Sequence, residues 1–490
     1  MGVHESERSL KGSVRSKECI GTVGRRRWYG LLSQGLGFAM VVLDSTIVNV
    51  ALPSIQVDLG LSESALSWVV NGYMIPYGGC LLLCGRLGDF CGHRRVFLVG
   101  LVLFTVASLG CGIAQTVESL ITCRAAQGAA GAAVASSALA SLLGQFDEIS
   151  ARAKAFGVWS CMSAGGGSAG LLLGGIATSA LGWRSVFFVN LAIGAIVYIL
   201  CRMGPLTEDR RNSGKSFDIA GALLATAPTT LAIFALFNWE KSGWSSANTL
   251  LPLSGMLVSL VLFVVLELRA PAPIVPLTLF HHRRFVLSNV VGALWAAAHT
   301  TWSFISTLYL QMILGYDALA AGLALFPTTF VMSVFSLGWS KQLILRFGSK
   351  PTLSVGLLLV TVGLALLMRA PAEASFVVDL LPGMFLVGLG GGVGFNSLYL
   401  IALSEVSEPD YGVASGMLNS STVMGASIGL ALVAETAAAY TRHLVGDGMS
   451  VAVALDAGYR LGFAVGVGFA GVACLAVVAF VRPAIFLPHP

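Results

Sequence analysis

Apolar runs of about 20 residues, separated by short polar stretches, occupy most of the chain from Trp28 to Val481. A hydrocarbon core about 30 Å thick is crossed by about 20 helical residues, so each run predicts one transmembrane helix. The runs fall at 28–53, 65–85, 95–115, 119–144, 154–180, 184–203, 217–238, 248–268, 285–314, 319–340, 351–369, 375–404, 411–440 and 459–481. The pattern predicts an all-α membrane protein of 14 spans. Removing the seventh and eighth runs would leave twelve and preserve the orientation of all the others.

Composition agrees with the pattern. Of 490 residues, 56% are hydrophobic and only 11% charged, against about 25% charged in soluble domains. The net charge of +5 is too small and too dispersed for a nucleic-acid footprint. Nine cysteines are scattered without metal-ligand spacing, and Cys80 and Cys84 read as small packing residues. No metal, no cofactor and no nucleotide-binding loop is expected. The loops are too short for a soluble catalytic domain, so an enzyme is not expected either.

Charge sets the expected orientation. Residues 1–27 hold seven Lys or Arg and read as a basic cytoplasmic tail before an uncleaved first span. With that start, 23 basic residues fall on cytoplasmic segments and five on outer ones. The positive-inside rule therefore places both termini in the cytoplasm of a plasma membrane. Arginine far exceeds lysine, and Ala, Gly and Val are abundant, which suggests a bacterial, GC-rich source.

Charges inside the spans matter more than those between them. Asp44, in "VVLDSTIVNVALP", is the only charge in the first run. A carboxylate at the centre of a membrane helix costs about 2.5–3.5 kcal/mol. Asp44 precedes Pro53 by nine residues, roughly 13 Å, and Arg124 follows Glu118 by six, roughly 9 Å. The two sit at similar depth in spans one and four, each the other's best partner. Arg stays charged, so Asp is the member able to carry a proton. An inert ion pair that fixes helix positions is the alternative. Trp68, Tyr73, Trp295, Trp302, Tyr309 and Glu435 are candidates for cavity lining, and membrane-interface positions suit the same residue types. His299 reads as a packing residue, and His281 and His282 as part of a solvated basic loop.

Four stretches carry a recognisable pattern. In "GRLGDFCGHRR" (85–95), Gly85, Gly88 and Gly92 permit a tight turn, Asp89 stands at a helix mouth, and Arg94 and Arg95 open the next span. "GWSKQLILRFGSKP" (338–351) repeats it weakly, aligning Gly348 with Gly92 and Lys350 with Arg94. "RAAQGAAGAA" (124–133) surrounds Arg124. In "GGGSAGLLLGG" (165–175), Gly166, Gly170 and Gly174, with Gly175 beside them, form a bare stripe for close helix approach.

The 85–95 stretch resembles the signature loop of the major facilitator superfamily, with Phe90 and His93 at positions where Arg is usual. "LDSTIVNVALPSI" (43–55), "SWVVNGYMI" (67–75), "RAAQGAAGAA" and "WRSVFFVNLAIG" (183–194) are similar to the signatures of its fourteen-helix drug:proton antiporters. Leu171 stands where their fifth-span motif has Pro. The resemblance implies two six-helix bundles, at 28–203 and 285–490, joined by a segment at 204–284 with two additional central helices. It further implies a monomeric exporter of an antibiotic or other lipophilic small molecule driven by protons, with Asp44 and Arg124 in coupling. A facilitator for a metabolite such as a sugar or amino acid is the alternative.

Overall fold

The computed structural model describes residues 3–145, 149–203, 245–269, 277–371, 373–406 and 411–481, with scattered positions between 224 and 243. Among these the chain is almost wholly helical and holds no strand. The helices are α1 (Val3–Leu59), α2 (Glu63–Cys91), α3 (His93–Ile113), α4 (Val117–Gln145), α5 (Ile149–Leu181) and α6 (Ser185–Met203). After them come α7 (Ala247–Arg269), α8 (Arg283–Leu308), α9 (Ala318–Val334), α10 (Ser340–Phe347), α11 (Ser349–Leu367), α12 (Leu381–Leu403), α13 (Tyr411–Gly446) and α14 (Val451–Phe480). Single π-helical turns extend α8 to Ile313, join α9 to α10, and lead into α12 from Phe376.

Eight helices among the described residues are long and apolar enough to cross a membrane. Helices α4 and α8 fall outside that set because they are rich in Ala, Ser and Thr and bear Arg124 and His299. Both are interior helices. Helix α7 is the opposite case, exposing Leu250, Leu251, Leu257 and Val258 as a lipid-facing helix would.

Packing repeats along the chain. α1 packs on α5 and α6, α2 on α4, and α3 on α4 and α6. The later helices follow the same scheme, α8 on α13 and α14, α9 on α12, and α11 on α12 and α14. Between the two groups, α2 meets α13, α5 meets α9, and α1 touches α8. The repeated hairpin is visible in its turns. Gly92 (φ 94°) is the single residue between α2 and α3, and Gly348 (φ 89°) the single residue between α10 and α11. Each donates its N–H to the carbonyl four residues back, at 2.8 Å. Only glycine adopts that backbone without strain.

The groups meet unevenly. At the end carrying the loops at Gly60, Gly182, Gly315 and Gly448, one continuous core includes Ile47 and Leu52 of α1, Leu171 of α5, Ile305 of α8 and Val433 of α13. Polar contacts seal the same end. Asn49 donates to Ser303 Oγ at 3.0 Å, Gln311 to the Val50 carbonyl at 3.0 Å, and the Leu319 N–H to Ser179 Oγ at 3.1 Å. Toward the Gly92 end the buried residues separate into a cluster around Phe285, Leu353 and Leu398 and another around Leu81, Val96 and Ala132.

Three sequence expectations change. Helix α1 runs through Pro53 to Leu59, because a polar turn beyond the apolar run stays helical until Gly60 (φ 64°) ends it. Gly85 and Gly88 belong to helix α2, so Gly92 alone makes the turn. A side chain at Gly88 would strike the His93 ring, whereas one at Gly85 would meet nothing within 4 Å. Helix α14 starts at Val451, before the run at 459–481, and so takes in Asp456, which pairs with Arg460 one turn later at 2.9 Å. Two charges that neutralise each other within a helix read as a loop in a hydropathy pattern.

Candidate functional site

Small residues bring α2 and α4 together. A Cβ at Gly128 would lie 2.1 Å from the Tyr73 carbonyl oxygen, so only glycine allows this approach. The closeness lets Arg124 of α4 reach across α2, where its Nε donates to the Val69 carbonyl at 3.1 Å. Its guanidinium lies 4.4 Å from the Tyr73 ring centroid and 5.8 Å from that of Phe187. On the other side, the glycine stripe of α5 holds α1. Added Cβ atoms at Gly166, Gly170 and Gly174 would come within 2.6 Å of Ala39 O, 2.0 Å of Thr46 Oγ1 and 2.8 Å of Ile47 O. These contacts flank Asp44. Gly175 faces the other group, against Ala318 of α9.

Asp44 and Arg124 are fully buried, at 0% and 1% exposure, and Arg124 Nη1 donates to Asp44 Oδ2 at 2.6 Å. The second carboxylate oxygen accepts two more bonds, from Gln127 Nε2 at 2.8 Å and Asn190 Nδ2 at 2.6 Å. Gln127 also donates to Ser108 Oγ at 2.7 Å and accepts from Arg124 Nη1 at 2.7 Å. Helices α1, α3, α4 and α6 are thus tied into one network around a single carboxylate. Three donors, one guanidinium and two amides, thus converge on one buried carboxylate and satisfy both of its oxygens.

Gln127, Asn190 and Ser108 were not singled out in the sequence. The signal was present for two of them, since Gln127 lies one turn beyond Arg124 and Asn190 is a polar residue inside an apolar span. Ser108 carries no such signal, since a lone serine in a membrane helix commonly bonds its own backbone, as Ser108 does to the Phe104 carbonyl at 2.8 Å.

The remaining residues are dispersed. Tyr73 belongs to the network through its ring, and its hydroxyl points to the Val41 carbonyl at 3.4 Å. Trp68 is half-buried and packs against Phe234, with centroids 5.0 Å apart, near the contact of Ile75 with Ala431. Glu435 is buried on α13. At the hairpin, Arg94 and Arg95 lie in the first turn of α3, while the Asp89 side chain lies outside the described residues. Among the described residues no group of His, Cys, Asp or Glu is arranged to hold a metal ion.

Apolar helices in two similarly packed groups, the first enclosing a buried ion-pair network, have the arrangement of a multi-span membrane transporter. Residues 35–430 match the Major Facilitator Superfamily, and the chain belongs to that family. It is 36% identical to the cephamycin export protein CmcT of Amycolatopsis lactamdurans, over 80% of this chain and 81% of that one. It is also 36% identical to the puromycin resistance protein pur8 of Streptomyces alboniger, over 96% and 93% of the two chains. Among solved structures, the D-xylose–proton symporter superposes with a TM-score of 0.64 at 15% identity, covering 94% of this chain and 98% of that one. That last likeness concerns the fold. The protein is a transporter and not an enzyme, with bacterial relatives in antibiotic export and resistance.

Proposed function

We propose that this chain expels lipophilic small molecules, antibiotics among them, in exchange for protons entering the cell. The observation that carries this reading is the Asp44 carboxylate, buried within the bundle and held by Arg124, Gln127 and Asn190. A carboxylate so enclosed is useful to a transporter because a proton can replace its counter-charge. Protonation weakens the bonds from Arg124, and substrate arrival or a conformational change that shifts Arg124 alters Asp44's hold on the proton. One proton crossing 100 mV supplies about 2.3 kcal/mol, enough for roughly a fiftyfold concentration ratio. The names of the similar proteins support the cargo class, and the metabolite alternative has only fold-level likeness behind it.

The architecture in this reading is two six-helix bundles with two added central helices, fourteen spans in all. Both termini are cytoplasmic, the Gly60 end faces outward and the Gly92 end inward. The seal at the Gly60 end then corresponds to a state open toward the cytoplasm, ready to load. Asp89, in the last turn of α2, would stabilise the opposite state by accepting bonds from a helix N-terminus and nearby Arg. Asp89→Asn should leave insertion intact and slow cycling, and normal export by that variant would reduce the hairpin to a connector. Reporter fusions after Phe217 and Pro490 should both report cytoplasm.

A susceptibility screen tests the function itself. Cells expressing the protein should tolerate a subset of lipophilic antibiotics, and an uncoupler should abolish that tolerance. Protection that persists unchanged with the uncoupler would remove the proton from the account.

A further inference from the structure

A second constellation, made of rings, is left unused by the polar network. Trp295 and His299, one turn apart on α8, have centroids 5.4 Å apart and planes only 8° from parallel. His299 also meets Trp302 at 5.3 Å. From α12, Phe395 closes on Trp295 at 5.0 Å, and Tyr399 on Phe395 at 5.1 Å. Across from them, on α2, Tyr77 stacks on Tyr73 at 5.6 Å and 11°, and Tyr77 and Tyr399 lie within electrostatic range of each other.

The rings of α8 and α12 thus stand near those of α2, where the two groups of helices come together. His299, Phe395, Tyr399 and Tyr77 are enclosed by the bundle, yet each keeps part of its surface accessible. Met74 of α2 packs against the cores of both groups beside them. Because the groups are sealed at the Gly60 end, a space between them would open toward the Gly92 end.

The walls are flat and uncharged. No Asp, Glu, Lys or Arg occurs in 65–85 of α2, 285–308 of α8 or 381–403 of α12. An ion entering there would lose hydration with no counter-charge in these walls to replace it. Flat rings also attract cations, but with no acidic side chain in these three segments the rings alone would have to offset a cation's lost hydration. A neutral planar guest loses little hydration and gains stacking on parallel rings, worth severalfold in affinity per ring face.

We propose that the space between α2, α8 and α12 selects uncharged, planar polycyclic aromatic substrates. They lie against the Trp295–His299 stack, with the Tyr77 and Tyr399 hydroxyls available to carbonyl or phenol groups at their edges. This rests on the reading of the chain as an exporter of lipophilic molecules and names their chemistry.

Binding to the purified full-length protein in nanodiscs, followed by tryptophan quenching and calorimetry, tests it. The probes are 1,4-dihydroxyanthraquinone, which is neutral and planar, ethidium, which is planar and cationic, and a neutral saturated steroid. The anthraquinone should bind at least tenfold more tightly than either of the others. His299→Leu and Phe395→Leu should each weaken it about tenfold without changing the thermal unfolding temperature by more than a few degrees. Both positions are half-buried, so they carry the test even if Trp295→Leu fails to fold. Equal binding of ethidium or the steroid would overturn the proposed chemistry while leaving the exporter reading intact. Wild-type affinity in both leucine variants would place the binding elsewhere. Failure of all three probes to bind, in a protein whose expression protects no cell from any lipophilic compound, would remove the exporter reading too.

Discussion

Asn190 of α6 donates to Asp44 of α1 at 2.6 Å, on the oxygen that does not face Arg124. The bond spans 146 positions of sequence and ties the sixth helix to the first at a fully buried carboxylate. Hydrogen bonds to a charged group contribute about 1.5–3 kcal/mol. Asn190→Leu should therefore lower the thermal unfolding temperature by several degrees and slow efflux at least fivefold, as read by dye-retention kinetics in cells. Unchanged stability and efflux would mean that the bond holds nothing.

Arg124 should matter more, and in a distinctive way. Removing one partner of a buried ion pair costs about 3–5 kcal/mol, because the other charge is left without compensation. Arg124→Leu should be poorly folded in detergent, judged by size exclusion and thermal melting. The double variant Asp44→Leu with Arg124→Leu should recover most of the melting temperature while exporting nothing. A double variant as unstable as the single one would mean that the pair's shape, and not its charge balance, supports the fold.

The glycine stripe makes a steric prediction. Space at Gly170 is closed by Thr46 Oγ1, 2.0 Å from where a Cβ would lie, whereas Gly165 has nothing within 4 Å. Gly170→Val should push α5 from α1 and destabilise by about 1–3 kcal/mol, the usual cost of overpacking. Gly165→Ala should be neutral. Equal melting temperatures for the two variants would contradict the close approach.

Much of this was readable from the chain, and the rest was hidden for physical reasons. A helix crossing hydrocarbon must be apolar, so spans show in the sequence, and a lone charge among them, Asp44 or Arg124, is conspicuous because it is costly. Neutral partners cost less and therefore stand out less, which is why Ser108 and Asn190 emerged only in three dimensions. The single-residue turns at Gly92 and Gly348 match an alignment drawn from weak repetition, but Gly85 and Gly88 misled, since a glycine can sit inside a helix, Gly88 against the His93 ring and Gly85 facing open space. The charge pair Asp456–Arg460 concealed the true start of α14. Nor could spacing show that Trp68 meets Phe234 from the segment that follows α6.

Export by alternating access requires the seal at the Gly60 end to break. Ser179 and Leu319 touch there through a 3.1 Å hydrogen bond between α5 and α9. Cysteines at both positions, in a background cleared of native cysteines, should cross-link under mild oxidation. Transport should stop and return on reduction. Export that continues while the two are cross-linked would show that the groups do not part at this end.

The central claim is that Asp44 carries the proton. It is tested most directly by substrate-induced proton movement in proteoliposomes with an imposed pH gradient. Wild-type protein should release or take up protons when an exported compound is added, in proportion to the compound moved. Asp44→Asn keeps the shape of the side chain but removes its titratable proton, and should show no proton movement and no uphill transport. Proton movement that persists in Asp44→Asn would show that coupling runs through another residue, with Glu435 the next to examine.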